Sequence, residues 1–267
     1  MTGREMLIAA SLKARGDWEE TMRIIHSKEY VQEEEARVLL SKVHSKVVTI
    51  LDEDYPECFR HCLRSPIVLY YYGDLSLLSD KKRNVAYVGS RDASPYGLEM
   101  ARYFGGALAR RGYVVISGLA RGIDAAVAEE VIKERGKTVA ILGSGIDCPY
   151  PPSSLSLYRR IKLDGLVISE YPNDTPPNPI QFPKRNRLIG GSAILTIIGE
   201  ASAHSGTLIT AGFALSSGAD IAAIPFEACK GSVCNALLRD GAFLLDDEDD
   251  LDVLLPKLEN AYTKNYK

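Results

Sequence analysis

Lys184, Arg185, Asn186 and Arg187 put three cations and an amide in four consecutive positions, directly behind Phe182-Pro183 and at what reads as the start of a helix. Cations there oppose the helix macrodipole at a cost of about a few tenths of a kcal/mol each, and a bound anion reverses that cost. Alone, such a cluster is equally well a solvated basic turn. Its neighbours favour phosphate chemistry. Gly89-Ser90-Arg91 follows the apolar run NVAYV, and Ser117-Gly118-Leu119-Ala120-Arg121-Gly122-Ile123-Asp124 grows out of YVVI. Gly143 to Asp147 follows TVAIL, Ser169 to Pro172 follows GLVI, and Glu200 with Ser205-Gly206-Thr207 to Thr210 follows AILTII. Gly, Ser and Thr at helix starts leave backbone N–H groups free to meet phosphate oxygens. One such turn is ordinary. Five that begin where an apolar strand stops predict a phosphate-binding edge.

The same loops also carry carboxylates. Asp124, Asp147, Glu170 and Glu200 are the candidate acids or bases; the competing role for each is to orient an arginine or cap a helix. The histidines are His26, His44, His61 and His204, and only His204 falls near the loops, so no triad order emerges. Gly143-Ser144-Gly145 resembles a dinucleotide fingerprint but fails it. Cys148 replaces the third glycine, prolines follow where a helix should run, and the turn belongs to the third strand of the unit. The reading is therefore a non-catalytic site without metal or cofactor.

The elements that must carry these loops are strand–helix units. NVAYVG, YVVISG, TVAILG, GLVISE, AILTIIGE, DIAAIP and GAFLL are mostly unbroken apolar runs, as strands buried on both faces of a parallel sheet require. Helices are expected to start near Pro95, Gly122, Pro152, Pro183, Gly206 and Gly231. The fold class is α/β: a Rossmann-like, doubly wound, mostly parallel sheet whose strand ends share the ligand edge. Upstream, a short strand, a helix and a strand Ile67–Tyr72 precede the regular pattern. Before them, Met6–Lys13, Trp18–His26 and Val31–Val43 read as short helices. The expected division is a helical region over 1–45, the α/β domain over 46–258 and a tail over 259–267.

Composition narrows the class. Of 267 residues, 46% are apolar and 25% charged, an ordinary globular balance. No secretory signal or bilayer-spanning run is seen. Five scattered cysteines without CxxC pairing suit a reducing cytoplasm. A net charge of −3 excludes a protein that coats nucleic acid by a global positive field, leaving only a local basic groove.

In order and spacing, VGSR, SGLARGID, GSGID with YP, SEYP, FPKRNR, SGTLITA and GSVCNALLRDGA resemble the DprA/Smf family of DNA-processing proteins, as do the upstream ILDEDYPECF and SPIVLYYYGD. The resemblance covers roughly residues 47–256. It implies a homodimer that binds single-stranded DNA without catalysis and loads a RecA-type recombinase during natural transformation. By position, the implied DNA pocket holds Ser90, Arg91, Gly118, Arg121, Gly122, Lys184, Arg185, Asn186, Arg187, Ser205, Gly206, Thr207 and Thr210. Three departures stand out. Pro225-Phe226 replaces Pro-Gly; Pro179 sits where some members have a DNA-contacting lysine; and the C-terminal winged-helix-like domain of many members is expected to be absent. For the dimer, Leu251, Val253, Leu254 and Leu255 offer more apolar surface than a terminal helix needs, with Leu251 and Leu254 as the candidate interface.

Two other readings compete. A nucleotide phosphoribohydrolase-like enzyme would need a PGGxGTxxE-type loop, but the stretch from Ala203 to Thr210 contains no glutamate. A nucleotide-sensing module would need selective affinity for free nucleotides.

Overall fold

The computed structural model describes residues 1–27, 31–202, 206–227 and 232–265. Its centre is a parallel run of strands: β3 (Asn84–Val88), β4 (Val114–Ser117), β5 (Lys137–Leu142), β6 (Leu166–Ser169), β7 (Leu195–Ile198), β8 (Asp220–Ala223) and β9 (Phe243–Leu244). Two upstream strands, β1 (Lys46–Thr49) and β2 (Val68–Gly73), join antiparallel at the β6 edge. The order is β1-β2-β6-β5-β4-β3-β7-β8-β9. The chain thus winds from β3 outward through β4, β5 and β6, then returns to the other side of β3 with β7. That reversal makes the carboxyl end of β3 the topological switch point, the usual ligand crevice of open α/β sheets.

The unbroken apolar runs have a direct cause. Val85 and Tyr87 of β3, Val115 of β4 and Ile197 of β7 pack under α5 (Pro95–Arg110), α6 (Ile123–Lys133) and α11 (Asp249–Asn265). Their alternate neighbours Ala86, Val88, Ile116 and Ile198 face the opposite layer, built from α4 (Glu57–Arg60), α8 (Gln181–Gly191), α9 (Thr207–Ser216) and α10 (Val233–Arg239). Both parities of these strands are buried, so the runs are mostly apolar, and the polar residues within them, such as Asn84, Thr138 and Thr196, are buried too. Beyond β5, Tyr158 and Ile161 of α7 (Leu155–Asp164) cover Ala140, Leu142 and Val167.

The N-terminal helices α1 (Gly3–Lys13), α2 (Trp18–His26) and α3 (Glu33–Leu40) do not stand apart. Ile8 and Leu12 of α1 share a core with Tyr70 and Val167, and Tyr70 donates its hydroxyl to Ser11 at 3.1 Å. Trp18 donates its indole N–H to the carbonyl of Ser65 at 2.9 Å. At the other end, helix α11 runs on to Asn265, where a tail from 259 was expected. Leu251 and Leu254 are buried in the chain's own core with Leu255 and Leu258. Of the apolar stripe read from the sequence, Val253 alone stays open, at 75% exposure.

Candidate nucleic-acid interface

At the switch point lies a cleft of about 400 Å³, lined by the loops after β3, β4 and β7 and by α8. Its walls include Ser90, Arg91, Asp124, Arg185, Asn186, Gly206, Thr207 and Thr210. The loop after β4 is held by two glycines of different purpose. Gly122 sits at φ +79°, and a Cβ there would lie 2.3 Å from the carbonyl oxygen of Ser90. Gly118 leaves room for a guanidinium, since its Cβ would lie 2.4 Å from Nη2 of Arg185. The loops are also laced together: Ile123 N–H donates to the carbonyl of Ser90 at 3.1 Å, and Ser90 N–H to that of Glu200 at 2.7 Å.

The three cations of the α8 segment have separate fates, and α8 begins at Gln181, two residues before Pro183. Arg185 is buried, at 5% exposure, and donates through Nη1 to the carbonyls of Gly118, at 2.9 Å, and Ile141. Burial pulls its pKa down to about 10, against the pull of Asp124. Arg187 is buried too, held by both carboxylate oxygens of Glu170 at 2.6 Å and by the carbonyls of Leu63 and Arg64. Lys184 faces α2, where Asp17 and Glu19 hold its ammonium at 2.9 and 3.1 Å. Arg185 and Arg187 therefore shape the site from beneath, and Lys184 is shared with the N-terminal helices.

Among the described residues lining the cleft and its adjoining hollow, the cations open to solvent are Arg91 and Arg121. Arg91 lies over the ring of Phe182, 5.3 Å from its centroid, with no hydrogen bond to a described residue. Arg121 reaches Asp92 at 2.7 Å, an exposed pair that phosphate can displace cheaply. Phe182 and Tyr150 meet at 5.7 Å between ring centroids and, with both arginines, line an adjoining hollow of about 200 Å³. Aromatic faces beside cations suit a strand whose bases stack while its phosphates are gripped. Neither aromatic was among the residues expected at the site; the signal was that Tyr150 follows the glycine-rich turn after β5 and Phe182 stands directly before the basic cluster of α8.

On the β7 side, Gly206 caps α9 without a side-chain cap hydrogen bond. Asn186 bridges the two sides, accepting from Nε of Arg185 at 3.2 Å and donating to the carbonyl of Gly206 at 3.3 Å. Thr207 and Thr210 are buried in the cleft wall, and Thr210 donates to the Gly206 carbonyl at 3.4 Å. Ser205 and His204 lie outside the described residues. The carboxylates are engaged. Glu200 accepts from the Ser94 N–H at 3.0 Å and its hydroxyl at 2.7 Å, Glu170 is spent on Arg187, and Asp147 accepts from the hydroxyl of Tyr72 at 2.7 Å.

The family model for DNA recombination-mediator protein A matches residues 46–255. DNA processing protein DprA of Streptococcus pneumoniae is 36% identical over 231 residues, covering 85% of this chain and 80% of that protein. The chain belongs to the DprA/Smf family. Protein Smf of Synechocystis sp. is 35% identical over 204 residues, covering 75% of this chain and 51% of that protein; the chain spans about half that relative's length. The crystal structure of the S. pneumoniae DprA superposes with a TM-score of 0.80 at 32% identity, covering 94% of this chain and 93% of that one. A DprA structure from Helicobacter pylori, described for its single-stranded DNA binding mode, superposes with a TM-score of 0.69 at 27% identity over 84% of this chain and 99% of that one.

Against the DprA/Smf pattern, Phe226 has a local explanation. Its ring meets Tyr96 edge-on at 5.7 Å, and Asn235 accepts from its N–H and donates to its carbonyl at 2.9 and 2.8 Å. No described helix is long and apolar enough to cross a membrane.

Proposed function

We propose that this chain binds single-stranded DNA along the switch-point cleft. The observation that carries the reading is the open pair Arg91 and Arg121, set beside the glycine start of α9 and an aromatic wall. Phosphates meet Arg91, Arg121, the Ser90 loop and the Gly206-Thr207 turn, while bases lie toward Tyr150 and Phe182. The H. pylori relative supports the ligand class. The site is read as a binding site, not an enzyme's, because Glu170 and Glu200 are occupied by neighbours. Fluorescence anisotropy with oligonucleotides of mixed sequence tests it. Affinity should depend little on sequence, and log K should fall with log salt by about 0.7 per phosphate contact. Arg91→Ala should cost about tenfold in affinity and flatten that slope by about one contact. A slope unchanged in the variant would place the strand elsewhere.

As its biological use, we propose loading of a RecA-type recombinase by a homodimer during natural transformation, as the family resemblance implies. One-sided gripping through phosphates leaves most of a strand open to the next protein. Filament assembly on DNA coated with single-strand-binding protein should speed up with wild type and not with Arg91→Ala. If wild type gives filaments no faster than buffer, the mediator role falls and a binding module remains.

A further inference from the structure

A buried carboxyl group of the chain's own lines the cleft. Asp124 lies at the start of α6 with 5% exposure. Its carboxylate accepts from the Gly118 N–H at 2.8 Å. Burial, the largest influence, raises the pKa of this carboxyl, and the positive charge of buried Arg185 and the amides of Gly118, Ala120 and Gly89 work against that rise and favour the charged form. These amides stand at the ends of β3 and β4. They converge because the loop between β4 and α6 passes through positive φ at Leu119, +57°, and Gly122, +79°. Backbone amides brought together in this way form an anion nest, and a switch point with such a nest is where open α/β sheets receive the phosphate of a nucleotide.

We propose that Asp124 is a built-in anion that occupies this nest and so determines specificity: it shuts out free mononucleotides and leaves the cleft to a continuous strand. A mononucleotide has one terminal phosphate and gains little unless that phosphate enters the nest. A strand needs no such entry, because it meets the rim, Arg91, Arg121 and the Gly206 turn, at several phosphates at once. The proposal rests on the DNA-binding reading for the strand and on Asp124 alone for the exclusion.

The test uses the full chain as wild type, Asp124→Ala and Asp124→Ser, the last keeping a hydroxyl for the Gly118 amide. Binding of thymidine monophosphate and of inorganic phosphate is measured by calorimetry, with thymidine as control and oligothymidylate as a separate arm. Wild type should bind neither phosphate compound at millimolar concentration. At least one variant should gain about tenfold or more for both, but nothing for thymidine, because the Gly118 amide loses its acceptor and Arg185 its neighbouring negative charge. A variant unfolded in chloride should recover its fold in phosphate, read by circular dichroism, and that too supports the nest. The proposal is overturned if wild type binds the monophosphate as tightly as the variants. It is equally overturned if neither variant gains phosphate binding or phosphate-dependent folding. Failure of wild type on oligothymidylate alone removes the DNA reading, while the phosphate arm still decides the role of Asp124.

Discussion

Arg185 and Arg187 are two residues apart on α8, yet neither can be treated as a surface cation. Arg187 is 7% exposed at its side chain and grips Glu170, itself 8% exposed, through two short bonds. A charge pair this deep adds little over well-packed apolar residues, but breaking it strands a buried charge. Arg187→Ala is therefore expected to destabilise the fold by about 3–5 kcal/mol in urea denaturation. The double variant Arg187→Met, Glu170→Met should recover most of that loss. Any DNA-binding defect of Arg187→Ala then reports folding, and only a defect persisting in a fully folded variant would make Arg187 a contact. The sequence displayed Lys184 to Arg187 as one basic patch because a local reading cannot see partners. Glu170, Asp124 and Asp17 arrive from three other elements.

At the level of elements, α2 and α8 form a clasp. Burial works to raise Asp17, but the Lys184 ammonium and the Glu20 and Glu19 amides outweigh it and hold it low. Lys184 lowers Glu19 as well, and is itself raised by Asp17. The carboxylates' contribution is present above their unfolded values, about 3.9 and 4.3, and is lost as pH falls through the lower folded ones. The lysine's contribution is present below about 10.4 and is lost as pH rises through its higher folded value. All three groups are partly exposed, which limits the clasp to about 1 kcal/mol. Trp18, the only tryptophan, begins α2 and reports on its docking. Lys184→Met should narrow the pH range over which Trp18 emission stays blue and speed proteolysis near α2, without unfolding the sheet. An unchanged emission profile would mean that the indole bond to Ser65 and the Ile8 and Leu12 contacts hold the helices unaided. The central strands were legible in the sequence because both parities of each are apolar, as with Val85 and Ala86. The run GAFLL likewise announced β9, whereas the continuation of α11 to Asn265 was less legible, since Tyr262 carries too few neighbours of a fixed period.

The whole molecule carries a net charge of −3, so a strand is not drawn to it by a general field. On the proposed reading affinity comes from the cleft, where the described cations open to solvent are few. The proposed homodimer would supply a second cleft, and a strand held at one point would meet the other at high effective concentration. Leu251 and Leu254 are consumed by the chain's own core, which moves the proposed contact to what the C-terminal region leaves bare. Val253 is 75% exposed and Leu244, on edge strand β9, 52%. An edge strand with an open apolar residue invites pairing unless something covers it. If the homodimer forms there, affinity should rise with oligonucleotide length in a step, of about a hundredfold or more, once the strand spans both clefts. Val253→Glu with Leu244→Glu should give a monomer by sedimentation, abolish the step, and leave the affinity for short oligonucleotides unchanged. A smooth rise with length in wild type would instead mean that successive phosphates add independently, and that each cleft works alone whatever the oligomeric state.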